Sequence, residues 1–327
     1  MKTSGLSIHH ILCPTDFSVH ARSAYAEAVR VARWFGAKVT LLHVVTPEIP
    51  VGGELLYVPP LPTSSRALRK AKLQELDTCK DTVDHAGLDV DTVLREGDVV
   101  HEIRRFARES AVDLVVMGTQ GRTGLGRVLL GSVTEAILRH APAPVLTVNR
   151  PVPHHEKLFR SVLCAVDVSE WSAGTVEYAI GIAADGATHL TVLSVIEDLP
   201  ELSARAQGIF AIEEIERFRH GLERDTISEL QERIPDEARA GCRIEEHVRF
   251  GLAHREILTV AEAESADLIV MGSHGRGAVE RLVFGSTVRK VIRAARCPVL
   301  VVPARYVWRA TEIATLGGNE RPIPVLS

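Results

Sequence analysis

Ala111-Val112-Asp113-Leu114-Val115-Val116-Met117-Gly118 is the stretch on which the fold turns. Leu114 to Met117 is apolar without alternation, the pattern of a short strand covered by helices on both faces, and a glycine ends it. The stretch returns 154 residues later as Ser265-Ala266-Asp267-Leu268-Ile269-Val270-Met271-Gly272. Ala143-Pro144-Val145-Leu146 matches Cys297-Pro298-Val299-Leu300 at the same offset. Upstream, Ile11-Leu12-Cys13-Pro14-Thr15-Asp16-Phe17-Ser18 recurs as Val162-Leu163-Cys164-Ala165-Val166-Asp167-Val168-Ser169 at an offset of 151. Thr40-Leu41-Leu42-His43-Val44-Val45 recurs as Thr191-Val192-Leu193-Ser194-Val195-Ile196 at that same offset. Blocks held in register over so long a span mark a duplication.

Each copy alternates strand and helix. In the first, a strand near 8–14 leads to a helical pattern from about Ser18 to Phe35, closed by Gly36. A strand Lys38–Val45 follows, then a proline-rich loop and a polar helix from about Ser64 to His85. A strand near 89–95, a helix from about Asp98 to Ser110 and the strand Asp113–Met117 come next. A glycine-rich loop, a helix from about Gly131 to His140 and a strand Val145–Val148 close the unit. The expected fold class is α/β: two tandem doubly wound, Rossmann-like domains, each on a five-stranded parallel sheet. The expected division is a first domain over 1–150, a Pro- and His-containing linker over 151–160, a second domain over 161–304 and a tail over 305–327, docked in part through Val307 and Trp308.

Composition narrows the function. Of the 327 residues 46% are hydrophobic but only 5% aromatic, which suits sheets covered by helices. A net charge of −4 offers no polyanion-binding surface, so no nucleic-acid partner is expected. No apolar run reaches the roughly 18 residues needed to span a bilayer, and the first ten lack a secretion-signal core, so no membrane is expected either. Five widely spaced cysteines without a CxxC pair fit a reducing compartment, and the expected location is the cytoplasm.

After its fourth strand each copy carries one glycine spacing. Gly118-Thr119-Gln120-Gly121, nine residues, then Gly131-Ser132 corresponds to Gly272-Ser273-His274-Gly275, nine residues, then Gly285-Ser286. Ligands of an open parallel sheet bind beyond the C-terminal strand ends, where the strand order reverses. There Gly118 and Gly121 can turn the chain and admit a phosphate to main-chain N–H groups. Gly131-Ser132 opens a helix whose first N–H groups and dipole favour an anion. Arg122, Arg127, Arg276 and Arg281 are placed to add charge. No lysine precedes Ser132 or Ser286, so this is not the GxxxxGK[ST] loop, and the order of Gly121, Gly124 and Gly126 is not GxGxxG.

The five-strand unit, the Pro14-Thr15-Asp16-Phe17-Ser18 opening, Leu42-His43-Val44 and the G-x2-G-x9-G-S loop closely resemble the universal stress protein family, in particular its tandem members. The resemblance covers about 8–303 and implies ATP, with Mg2+, as ligand. By that likeness Asp16 contacts the ribose, Val44 meets adenine through its backbone, and Gly118, Gly121, Gly131 and Ser132 hold the phosphates. The second set is Asp167, Val195, Gly272, Gly275, Gly285 and Ser286; that copy has Val166 for Thr15 and Ser194 for His43. The resemblance also implies contact between the two domains through Val145–Val148 and Val299–Val302.

Other residues have plainer readings. Asp16 serves equally well as a capping residue before a helix. His43, inside an apolar strand, reads as a hydrogen-bonded core histidine, and Cys13 and Cys164 as buried packing. His101 and His254 read as surface or capping groups, His154-His155 as no metal site alone, and Glu213–Arg224 as a solvated helix face. The expected function is a non-enzymatic, ATP-binding stress-response regulator, read by an unknown protein partner, with a homodimer of tandem chains as a further pairing left open. An ATP-using enzyme, slow ATPase or transferase, and an interaction protein with empty pockets are the alternatives.

Overall fold

A computed structural model describes residues 6–46, 62–121, 130–152, 158–167, 173–184, 188–197, 212–273, 285–304 and Tyr306. In the first half, β1 (His10–Pro14), β2 (Lys38–Val45), β3 (Val90–Glu96), β4 (Leu114–Gly118) and β5 (Val145–Val148) alternate with α1 (Val19–Phe35), α2 (Pro62–Lys80), α3 (Val99–Glu109) and α4 (Ser132–His140). The second half holds β6 (Ser161–Val166), α5 (Ala173–Ala183), β7 (His189–Ile196), α6 (Ile212–Glu232), the short α7 (Asp236–Gly241), β8 (Arg243–Phe250), α8 (Ala253–Ala263), β9 (Leu268–Gly272), α9 (Ser286–Ala294) and β10 (Val299–Val302).

Local chemistry sets several of these limits. The Ser18 hydroxyl accepts the Ala21 amide at 3.2 Å and starts α1, while Gly36 stops it at φ +71°, a left-handed turn that costs glycine little. Asp98 accepts the His101 amide at 2.8 Å and starts α3. The capping group there is thus Asp98, and the His101 side chain is exposed.

The ten strands form one sheet in the order β3-β2-β1-β4-β5-β10-β9-β6-β7-β8. Within each half neighbours run parallel; at the seam β5 and β10 pair antiparallel, Leu146 opposite Leu300. The domain contact expected through the last strands is therefore a shared ladder. Thr147 Oγ1 donates to the Val299 carbonyl at 2.9 Å across it.

Period-two alternation divides the core between the two sheet faces. Ile11 and Cys13 meet α1, α2, α5 and the end of α6 on one face. Leu12, Val115 and Met117 meet α3, α4, α8 and α9 on the other. Cys13 and Cys164 are fully buried, and burial pushes the Cys164 thiol up to about 12, so both serve packing.

The segment expected as a linker does more than connect. Leu158 and Phe159 are buried. Arg30 of α1 donates to the Leu158 carbonyl and lies 4.9 Å over the Phe159 ring. The mirror contact sets Leu6, ahead of β1, on α5 of the second half, so close to Gly181 that a Cβ there would stand 2.7 Å from Leu6 Cβ. Each half thus rests its leading segment on the first helix of the other. Tyr306 of the tail packs edge-on against Tyr178 at 6.2 Å, whereas Val307 and Trp308 lie outside the described residues.

Candidate functional site

In each half the strand order reverses between the first and fourth strands. β1 leads to α1 on one face and β4 to α4 on the other; β6 and β9 do the same with α5 and α9. A crevice must open at the C-terminal ends of such a pair.

Between β1 and α1 the chain is held in a tight turn. The Phe17 amide donates to Thr15 Oγ1 and the Ser18 amide to Asp16 Oδ1, both at 3.0 Å. Phe17 takes φ +65°, an uncommon angle for a bulky residue, sustained by the contacts around it. Its ring lies 4.4 Å from that of His43, whose Nδ1–H donates to the Thr15 carbonyl at 2.7 Å. His43 is thus a satisfied, half-buried histidine that braces the turn. Ser18 is the N-cap of α1, and Asp16 supports it. Its Oδ1 takes the Ser18 amide while Oδ2 faces the glycine loop, 2.7 Å from where a Cβ on Gly121 would stand.

The glycines of that loop divide their work. A Cβ on Gly118 would stand 2.9–3.0 Å from the His20 backbone and Cβ, so this glycine lets α1 pack against the end of β4. Gly118→Ala is expected to cost about 1–3 kcal/mol through overpacking, read as a lower midpoint in thermal denaturation. Gly121 admits the Asp16 carboxylate. At Gly131 a Cβ would meet only ordinary contact, 3.4 Å from the Thr119 carbonyl oxygen. The loop closes on itself through the Gly131 amide, which donates to that oxygen at 2.8 Å, and Thr134 Oγ1, which donates to the Gly118 carbonyl at 2.8 Å. The buried Thr119 and Thr134 escaped the sequence reading. The hydroxyl shared by Thr119 and Ser273 after each glycine was the available signal.

The first intrahelical bond of α4 joins the Glu135 amide to the Gly131 carbonyl, so the amides of Ser132, Val133 and Thr134 have no partner inside the helix. Among the described residues no side chain caps this end, unlike α1 and α3, and the Ser132 side chain is exposed beside it. α9 repeats the arrangement: Gly285 is its N-cap without a side-chain bond, the Arg289 amide donates to the Gly285 carbonyl at 3.1 Å, and Ser286 is exposed. Ser273 in turn bonds its amide to the Val302 carbonyl at 2.9 Å.

Val44 and Val195 reach the crevice through their backbones. β1 pairs with β2 only as far as Pro14 opposite Leu42, and the Thr15 amide donates to the Leu42 carbonyl at 2.8 Å. Polar groups alternate sides along a strand, so those of Val44, two residues on, turn the same way past the end of β1. The Gly97 amide bonds Val45 on the opposite side, as that alternation requires. Val195 stands likewise one residue beyond the Val166–Ser194 pair that ends β6.

Asp16, Val44, Gly118, Gly121, Gly131 and Ser132 therefore converge on one crevice. Asp167, Val195, Gly272, Gly285 and Ser286 occupy corresponding places in the second. Gly275 and the arginines 122, 127, 276 and 281 lie outside the described residues, as do His154 and His155. At the start of α8, burial first, then Lys290 and Arg255, hold the His254 imidazole below the ordinary histidine range. Among the described residues no group of three metal-ligating side chains is placed to hold an ion, and no helix is long and apolar enough to cross a membrane.

A profile of the universal stress protein family matches residues 7–149 and again 158–303. A universal stress protein of Mycolicibacterium smegmatis is 30% identical over 304 residues, covering 90% of this chain and 97% of its own length. One from Synechocystis is 25% identical over 311 residues, covering 89% and 98%. The crystal structure of a universal stress protein from Archaeoglobus fulgidus superposes with a TM-score of 0.63 at 23% identity, over 91% of this chain and 97% of that one. With a duplicated sheet, a paired crevice and two family matches that span nearly its whole length, the chain belongs to the universal stress protein family as a tandem-domain member.

Proposed function

We propose that the chain is an ATP-binding stress-response regulator that holds one nucleotide in each crevice and acts through partners rather than by fast catalysis. One observation carries this reading. Asp16, the glycine loop and the uncapped start of α4 meet at a strand-order reversal, and the second half repeats the arrangement around α9.

The residues suit a magnesium-bound triphosphate. Amides at the start of α4 and α9, with Ser132 and Ser286, offer donors and a positive dipole end to phosphate oxygens. Asp16 and Asp167 sit at strand ends, where a carboxylate accepts ribose hydroxyls. The backbones of Val44 and Val195 offer one donor and one acceptor to the adenine edge. Gly131 and Gly285 hold the position before the serine at which a P-loop carries its lysine, which supports a holding site over a transferring one.

Calorimetric titration of nucleotide-stripped protein with magnesium ATP tests the reading. Two nucleotides per chain without steady phosphate release are expected. Each site should add about 2.7 kcal/mol of stability when ligand stands at roughly 100 times its dissociation constant. Sustained turnover would turn the reading to an enzyme, and no binding would discard the nucleotide altogether.

A further inference from the structure

Leu146 stands opposite Leu300 in the β5–β10 ladder, and Arg289 Nη2 donates to Glu135 Oε1 at 2.7 Å. Both pairs are 154 residues apart, the offset of the repeat itself. Equivalent residues that touch each other mark the approximate two-fold axis between two like units, here the two halves. Had the copies stayed identical at this place, like charge would face like charge. Instead the first half presents a carboxylate and the second a guanidinium.

The pair sits at the two helix starts. The Glu135 amide closes the first turn of α4 on the Gly131 carbonyl, and the Arg289 amide closes that of α9 on Gly285. Helical side chains lean toward the N-terminus, so both charges lean toward the amides left free there. Glu135 is the acidic residue in the first turn of α4, whereas α9 has none in its first turn and carries Arg289, Lys290 and Arg293. A carboxylate at this end opposes an incoming phosphate. Glu135 is held between two cations. Arg139, one turn deeper in its own helix, donates to the same oxygen at 3.1 Å, and Arg289 reaches it from the other half. The far end of α9 is tied to the first half as well, where the Asn149 side-chain amide donates to the Ala295 carbonyl. α9, and Arg289 with it, is thereby held against the first half at both ends.

Given the nucleotide reading above, on which this rests, we propose that the first crevice is completed by the second half: Arg289 neutralises Glu135 and so opens the start of α4 to phosphate. The affinity of one crevice is thus set by a residue of the other half. Arg289 has a second part in its own half, where it adds positive charge to the start of α9 with no carboxylate in that turn to oppose it. A pair that merely fastened the seam would behave differently, because any variant that broke it would loosen both crevices, whichever partner was changed.

Calorimetric titration of the nucleotide-stripped full chain with magnesium ATP separates the two roles. Arg289→Gln is expected to weaken the first crevice roughly tenfold, because Glu135 then faces the phosphates with less compensation, and to weaken the second as well. Adding Glu135→Gln should return one of the two sites to wild-type affinity, since only the first crevice has a first-turn carboxylate to silence. The double variant lacks the ion pair as completely as the single one, so a loosened seam could not give this recovery. Unchanged affinity at both sites in Arg289→Gln, or a double variant in which neither site recovers, would overturn the proposal. A wild type that binds no magnesium ATP would instead remove the nucleotide reading, and the proposal with it.

Discussion

Gly131→Ala combined with Gly285→Ala is expected to abolish nucleotide binding while the protein stays folded. Both glycines hold ordinary backbone angles, φ −61° and −54°, which alanine adopts without strain. A Cβ at 131 would rest 3.4 Å from the Thr119 oxygen, and one at 285 would rest 3.5 Å from Val288 Cγ2. Alanine is a poorer N-cap than glycine, yet it also stiffens the unfolded chain, and these small terms of about 0.5–1 kcal/mol oppose each other. Binding has no such compensation. A methyl at the mouth of the helix stands between the first-turn amides and an approaching phosphate, and each charge-assisted hydrogen bond lost costs about 1.5–3 kcal/mol. Two lost at a site correspond to a roughly 100-fold or greater weakening. Calorimetry should show two sites in the wild type, one in either single variant and none in the double, with thermal midpoints nearly unchanged. Undiminished affinity in the double variant would remove the helix ends from the site.

The second large effect falls on stability. Glu27 lies inside α1, yet its side chain is only 2% exposed, and its charge is matched by Arg30 one turn on, through two hydrogen bonds. Arg30 also donates to the Leu158 carbonyl and covers the Phe159 ring. Arg30→Ala therefore leaves a buried carboxylate without its cation and loosens the segment that enters the second half. A loss of about 3–5 kcal/mol is expected in urea denaturation. Glu27→Gln in the same chain should return part of it, because the uncompensated charge is the main cost. A loss below about 1 kcal/mol would mean that water reaches Glu27 and that the pair contributes no more than a surface one.

These two predictions draw on different kinds of information. The strands Lys38–Val45 and Val145–Val148 have the limits the sequence indicates, because apolar runs and flanking breakers act over a few residues. Ser18, Asp98 and Gly36 end their helices through bonds to groups three or four positions away, which is why caps are legible. The duplication and its paired glycine loops needed only comparison of the chain with itself, and from them followed the parallel sheet and the two crevices. α2 was read less well, ending at Lys80 where a polar helix was expected to reach His85, and the six-residue α7 went unread; neither stretch has a strong apolar period.

What the tertiary structure alone decided rests on contacts between residues far apart in the chain. Gly118 admits a helix; the segment at 158–159 is core because Arg30 lies 128 residues before Leu158; Glu27 is buried because its cation comes with it. The partition of charge between α2 and α6 can be counted in the sequence, but that both pack on one face of the sheet is settled by the core they share. A sequence encodes periodicity and caps locally, whereas which surface each face meets is settled only when distant elements compete for the same burial.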